Sequence, residues 1–200
     1  MGICCQGSKP SEYIEKGYID ADDDVRLRTV TECCNCFGAG YKGFQGSGAK
    51  HKFEEDTDIK RLKFYPNGEW DNRLTPDGNR FTEFHINSAE NDKYAWSRLT
   101  ELNQKIALFS HEKVSSTKYE AIFKGLYRVN KQESLKNKKV TYDRISKIMP
   151  TYYPKNVMAP KVIAEAYDKE GYMVAHFYDA EAVDAFRKKY EMKYIHPDFF

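Results

Sequence analysis

Lys63–Gly78, KFYPNGEWDNRLTPDG, sets Phe64, Tyr65, Pro66 and Trp70 against two turn signatures, Pro66-Asn67-Gly68 and Pro76-Asp77-Gly78. Proline presets φ for a turn, and glycine and asparagine accept the left-handed conformations that tight turns need. The short run carrying Trp70 and Asn72 is therefore bracketed by two chain reversals, the grammar of a β-rich binding loop.

Outward from that stretch, Arg80–Ile86 alternates apolar and polar residues and reads as a half-buried strand, with Arg80, Thr82 and Glu83 or His85 on its polar face. Asn91 to Gln104 reads as a helix carrying Trp96 near its start. Lys105–His111 and Tyr119–Val129 read as a hairpin, with Gly125 marking a bulge or bend. Residues 131–139, KQESLKNKK, read as a basic loop and Val140–Ile148 as a strand or short helix. Val162–Tyr167 and Tyr172–Tyr178 form a second hairpin, and Asp179 caps an amphipathic helix from Ala180 to Tyr190.

Upstream, Asp22-Asp23-Asp24 reads as the start of a helix whose apolar side is Val25, Leu27, Val30, Cys33, Cys34 and Phe37, ending at Gly38-Ala39-Gly40. Five glycines fall between 38 and 48. They match neither a P-loop nor a dinucleotide fingerprint, so this loop is read as a flexible link.

Two hundred residues with 40% hydrophobic and 31% charged side chains suit a globular chain that can bury a core without metal or disulfides. Fifteen Tyr and twelve Phe against two Trp favour β structure and flat stacking surfaces. The net charge of +2 hides an uneven spread: residues 111–155 hold eleven basic and four acidic side chains. Such a segment can guide a polyanion to one face.

No apolar run reaches 18 residues and no signal-peptide pattern is present, so the reading is of a soluble cytoplasmic chain with no membrane partner. The five cysteines, Cys4, Cys5, Cys33, Cys34 and Cys36, are read as free thiols, because CC and CCxC spacing does not suit a structural zinc site. No metal and no cofactor is expected. Met1-Gly2-Ile3-Cys4-Cys5 has the look of an acylated terminus, but Gln6 stands where serine or threonine is usual.

Phe37–Phe44, the stretch with Trp70, Asn72 and Asp77-Gly78, and the hairpin strand ending Phe123–Val129 together resemble a PUA-like domain over residues 22–153. The kind is that found beside nuclease modules in bacterial restriction and defence proteins. The resemblance implies an α+β fold: a small, twisted, partly closed β-barrel with flanking helices. Residues 1–20 then form a flexible segment, 22–155 the PUA-like domain, and 160–200 an appendage of hairpin plus helix. The superfamily includes the SRA, EVE, ASCH and YTH readers, which hold a nucleobase, often a modified one, in an aromatic-lined pocket.

The implied function is a nucleic-acid-binding module, for DNA in preference to RNA, that reads a modified or extruded base in a bacterial or phage defence or counter-defence setting. Tyr65, Trp70 and Trp96 are the stacking candidates, and Asn72, Asp71 or Asp77 the edge readers. Lys113, Lys118, Lys136, Lys138 and Lys139 are the phosphate contacts. The same residues fit blander roles: aromatic core packing, turn capping and a solvated lysine face.

Two further readings stay open. Asp58-Ile59-Lys60 fits half of a metal-dependent nuclease core, although no upstream acid is selected by the pattern. A protein-interaction or nucleotide-sequestering factor is the other. Beside the reader no stretch remains for a catalytic module of similar size, so the chain is read as a binder rather than an enzyme, with any catalysis supplied by a partner protein.

Overall fold

The structure is a computed structural model that describes residues 9–100 and 104–190 and the backbone of 195–196. The Met1-Gly2 terminus, Cys4 and Cys5 lie outside the described residues, as does the end of the helix expected over 91–104.

The elements follow in order as α1 (Pro10–Lys16), β1 (Tyr18–Asp20), a 3-10 turn (Ala21–Asp23), β2 (Arg26–Leu27), α2 (Val30–Asn35), β3 (Gly48–Lys50), β4 (Thr57–Leu62), β5 (Arg73–Leu74) and β6 (Arg80–Glu83). Then come α3 (Ser88–Thr100), β7 (Lys105–Lys113), β8 (Tyr119–Val129), α4 (Lys131–Asn137), β9 (Val140–Ser146), β10 (Ile148–Pro150), β11 (Ala164–Tyr167), β12 (Met173–Phe177), α5 (Ala180–Tyr190) and β13 (Ile195–His196).

The main sheet runs β3-β4-β7-β8-β9-β6-β5, with β2 added alongside β8. β4 and β7 pair in parallel, from Thr57 opposite Lys105 to Leu62 opposite Ser110. The other adjacent strands of this sheet pair antiparallel among the described residues. Gly125, at φ 120°, sits at the register slip against β7 and just before the slip against β9 between Leu126 and Tyr127, and a Cβ there would lie 2.5 Å from the Ser146 carbonyl oxygen. This is the bend expected at that glycine.

The expected barrel closure is not found: the fold is α+β with open sheets. The edge strands β3 and β5 pair over only three and two residues, with β4 and β6 respectively, and do not meet each other.

Strand alternation gives the main sheet two buried faces. Leu62, Phe81, Ile106, Leu108, Tyr127 and Tyr142 pack on one, against Tyr94 and Ala95 of α3. Ile59, Ala107, Phe109, Ala121 and Phe123 pack on the other, against α2 and its cysteines. Cys33, Cys34 and Cys36 are buried, and burial pushes the Cys34 thiol up to about 11, so these sulfurs act as small apolar core groups.

Two expected elements differ. The single helix from Asp22 is replaced by a 3-10 turn, β2 and the six-residue α2. Thr29 and Glu32 form a capping box, so the helix begins at Val30 and leaves Arg26–Leu27 to pair with β8. The expected basic loop over 131–139 is largely helix α4, because the Asn130 side chain accepts from the Glu133 amide at 2.9 Å.

The C-terminal hairpin β11–β12, with β13 beside β11, packs on the β1–β10 pair through Tyr18, Ile148, Phe177 and Phe186. α5 starts at Ala180, its cap formed where Asp179 accepts from the Ala182 amide at 2.7 Å. Its last turn is tied to β1, where the buried Asp20 takes Lys189 at 2.8 Å and the Tyr190 hydroxyl.

Candidate nucleic-acid interface

The turn after β4 is built by Asn67, whose side chain accepts from the amides of Glu69 at 3.1 Å and Trp70 at 2.8 Å. Trp70 then bridges to His85 in an antiparallel step, and the Asp71 amide donates to the Phe84 carbonyl at 2.8 Å. These bonds fix Trp70 half-buried, with the rings of His85 and Tyr94 edge-on at 4.9 and 5.1 Å.

Behind Trp70 opens a cavity of about 430 Å³, a size suited to a small molecule. β4 supplies Lys60, β6 supplies Glu83, and α3 supplies Tyr94 and Arg98. The Lys60 ammonium lies 3.2 Å from Glu83 and 3.0 Å from the Tyr94 hydroxyl, which itself donates to Glu83. The Tyr94 and Tyr142 hydroxyls are 3.3 Å apart.

Burial lowers the Lys60 pKa further than the Glu83 carboxylate raises it. It pushes the phenols of Tyr94 and Tyr142 up, and the Glu83 charge adds to this. Lys60, Glu83 and the Tyr94 phenol, kept neutral by burial, share one wall with Trp70.

Arg98 closes α3 against the sheet by donating to Asp58 at 2.9 Å. Asp58 is buried and also takes Lys50 at 2.8 Å and the Gln104 amide nitrogen at 3.0 Å. Burial pushes its carboxyl up, but the bonds from Lys50 and Arg98 outweigh that and hold it below the ordinary value. Among the described residues no group of three metal-ligating side chains gathers here or elsewhere.

Of the residues singled out from sequence, Trp70 and Asn72 line the cavity. Asn72 is buried as part of the wall, donating to the Lys63 carbonyl at 3.3 Å and accepting from the Phe84 amide at 3.4 Å. Tyr65 stands outside, 36% exposed, with its hydroxyl 2.9 Å from His111 Nδ1. Trp96 is 74% exposed on α3 and does not line the cavity. Asp71 pairs with Arg73 at 3.0 Å.

Asp77 organises a separate turn, bonding Thr75 at 2.6 Å and the Asn79 amide at 3.0 Å. Lys113 and Lys118 flank the β7–β8 turn, and Lys118 pairs with Glu120 at 2.5 Å. Lys136 lies on α4, 3.9 Å from Glu133; Lys138 caps that helix in the left-handed conformation, and the Lys139 ammonium sits 4.7 Å over the Phe84 ring. The five lysines therefore do not form one cluster with the cavity.

Sequence reasoning did not single out Glu83, Tyr94 and Arg98 as site residues, and considered Lys60 only in the alternative nuclease reading with Asp58. The signal was present in phase: Lys60 alternates with the buried Leu62, and Glu83 with the buried Phe81. Charges on an inward strand phase demand partners, and here each is the other's.

The profile of the SET and RING associated domain (SRA) matches residues 12–151. Among solved structures, the chain is similar to the 5-hydroxymethylcytosine-specific restriction enzyme AbaSI, at 29% identity and a TM-score of 0.68. The match covers 77% of this chain and 49% of that one, so the chain spans about half of AbaSI's length. No curated protein matches it.

Proposed function

The chain belongs to the SET and RING associated (SRA) domain family, and from that premise we propose that it is a DNA-binding module reading a modified base extruded into the cavity behind Trp70. The observation that carries this reading is the Lys60–Glu83 pair buried in a cavity faced by Trp70 and Tyr94. An enzyme or reader that takes a base out of the stack must hold it against aromatic surface and satisfy its Watson–Crick edge. Glu83 keeps acceptor capacity beyond its bonds to Lys60 and Tyr94, whereas the three hydrogens of the Lys60 ammonium are already directed at the two Glu83 oxygens and the Tyr94 hydroxyl. That spare acceptor complements the amino group of cytosine, whereas thymine presents a carbonyl acceptor at the same position.

The specificity in AbaSI's name makes 5-hydroxymethylcytosine the modified base to test first, and its description supports a restriction setting. In that setting the chain serves a bacterial or phage defence or counter-defence system as the reader, with cleavage supplied by another protein. Lys113, Lys118, Lys136, Lys138 and Lys139 lie outside the cavity lining and supply phosphate contacts at separate points along the bound strand.

The test is equilibrium binding to duplexes carrying one 5-hydroxymethylcytosine, cytosine or thymine. Trp70→Ala should remove the preference for the modified base, a loss of about 1–3 kcal/mol. Glu83→Gln should relax cytosine over thymine by about 1–3 kcal/mol. Wild-type binding that is equal for all three duplexes would sink the proposal.

A further inference from the structure

The mouth of the cavity runs on into a second surface. Arg61 and Lys63 line the cavity, and they also lie near enough to His111 that their charges, after burial, lower the imidazole pKa. Strand pairing explains the proximity: Leu62 is opposite Ser110 in the parallel β4–β7 ladder, so the chain leaving β4 through Lys63 passes His111.

Three aromatic side chains gather at this point. The Tyr65 hydroxyl meets His111 Nδ1 at 2.9 Å, and the Tyr119 ring lies 4.7 Å from the imidazole at 34°, closer to stacked than to edge-on. Tyr119 is 41% exposed at the first position of β8, so the platform opens to solvent. Arg61 and Lys63 make no ion pair among the described residues, whereas Lys60, Arg98 and Lys118 nearby are all paired.

A half-open cavity on the Leu62 face of the sheet, then two cations without ion pairs at the end of β4, then an open aromatic platform on the Phe109 face repeat, around the end of that strand, the order of parts along a nucleic acid: base, phosphate, base. Resting on the base-reading function above, we propose a second nucleotide subsite beside the first. The phosphate next to the extruded nucleotide sits on Arg61 and Lys63, and the neighbouring base, unpaired, stacks on His111 and Tyr119. A neighbour still paired inside a duplex stays in its stack and cannot use the platform. The subsite therefore favours a modified base in a single strand or beside a mismatch over one in continuous duplex.

The experiment compares three DNAs that each carry one 5-hydroxymethylcytosine: a continuous duplex, the same duplex with the adjacent pair mismatched on either side in turn, and the single strand. Binding is measured by fluorescence anisotropy for wild type, Tyr119→Leu and Tyr119→Phe. A mismatch eases extrusion of the base for any protein that flips it, so the readout is the gain from unpairing in wild type divided by the gain in Tyr119→Leu. Leucine at this exposed position keeps apolar contact but offers no ring. The expected ratio is roughly five- to a hundredfold, the range for stacking one base on an aromatic side chain, with Tyr119→Phe close to wild type. Equal gains in wild type and Tyr119→Leu overturn the subsite and leave the cavity reading intact. A wild type that does not prefer 5-hydroxymethylcytosine over cytosine overturns the cavity reading, and this one with it.

Discussion

Glu83 occupies a strand position in phase with Phe81, where an apolar side chain would be the ordinary occupant, and is only 3% exposed. The alternation of RFTEFHI assigns it to a polar face, because its compensating cation, Lys60, is 23 residues away and belongs to another strand. Local pattern shows a charge out of place; only the fold shows what pairs it. Tyr94 completes the set, and Tyr94→Phe leaves one carboxylate bond unmade, which should cost about 1–3 kcal/mol in urea unfolding. His51 makes a prediction of the opposite electrostatic kind. It is 5% exposed, its Nδ1 accepts from the amides of Phe53 at 3.1 Å and Glu54 at 3.0 Å, and burial lowers its pKa to about 4 from 6.5. The folded state thus favours neutral imidazole, so its contribution is full above pH 6.5 and declines as pH falls toward about 4. The expected loss from this group is about 3 kcal/mol, read from urea midpoints at pH 7.5 and pH 4.5, and His51→Asn should flatten that dependence.

At the level of elements, long alternation and clean capping were legible and short pieces were not. The β7–β8 hairpin and α5 follow directly from their patterns, since apolar, aromatic-rich strands of nine and eleven residues joined by a short polar turn, and an Asp179 cap, leave little choice. α2 and α4 are six and seven residues long, set by Thr29 and Asn130 caps, so periodicity over a wider window misplaces them. The join between α1 and the C-terminal hairpin turns on Gly17, at φ 83°, where a Cβ would lie 1.6 Å from the His176 carbonyl oxygen. The Gly17 carbonyl also accepts from the amides of Thr151 and His176 at 3.2 and 3.3 Å. Gly17→Ala therefore forces β12 away from β1 and β10, and should destabilise the protein by at least about 2 kcal/mol. A thermal unfolding curve that stays within a degree or two of wild type would contradict that account.

For the molecule as a whole, the resemblance that pointed to the fold rested on the order of its motifs, and that order survives even though the sheet is open. The cavity's inner wall was not legible, because it joins β4, β6 and α3, separate elements whose side chains meet only through the fold. If DNA is the ligand, affinity falls steeply with salt. Substituting Lys136, Lys138 and Lys139 by alanine should weaken all sequences alike and lower the salt slope by about one for each phosphate no longer neutralised, measured by titration between low and physiological salt.

The parallel ladder of β4 against β7 has a further consequence, for the time course of folding. The turn between β7 and β8 is short, so that hairpin can close early, whereas pairing Thr57 with Lys105 requires the intervening chain to be gathered first. That intervening chain is β5, β6 and α3, which carry Glu83, Tyr94 and Arg98, together with the turn that holds Trp70. The cavity is thus assembled inside a loop that closes after the β7–β8 hairpin. Mutations in the β7–β8 hairpin should slow refolding, whereas mutations in the cavity wall should chiefly speed unfolding.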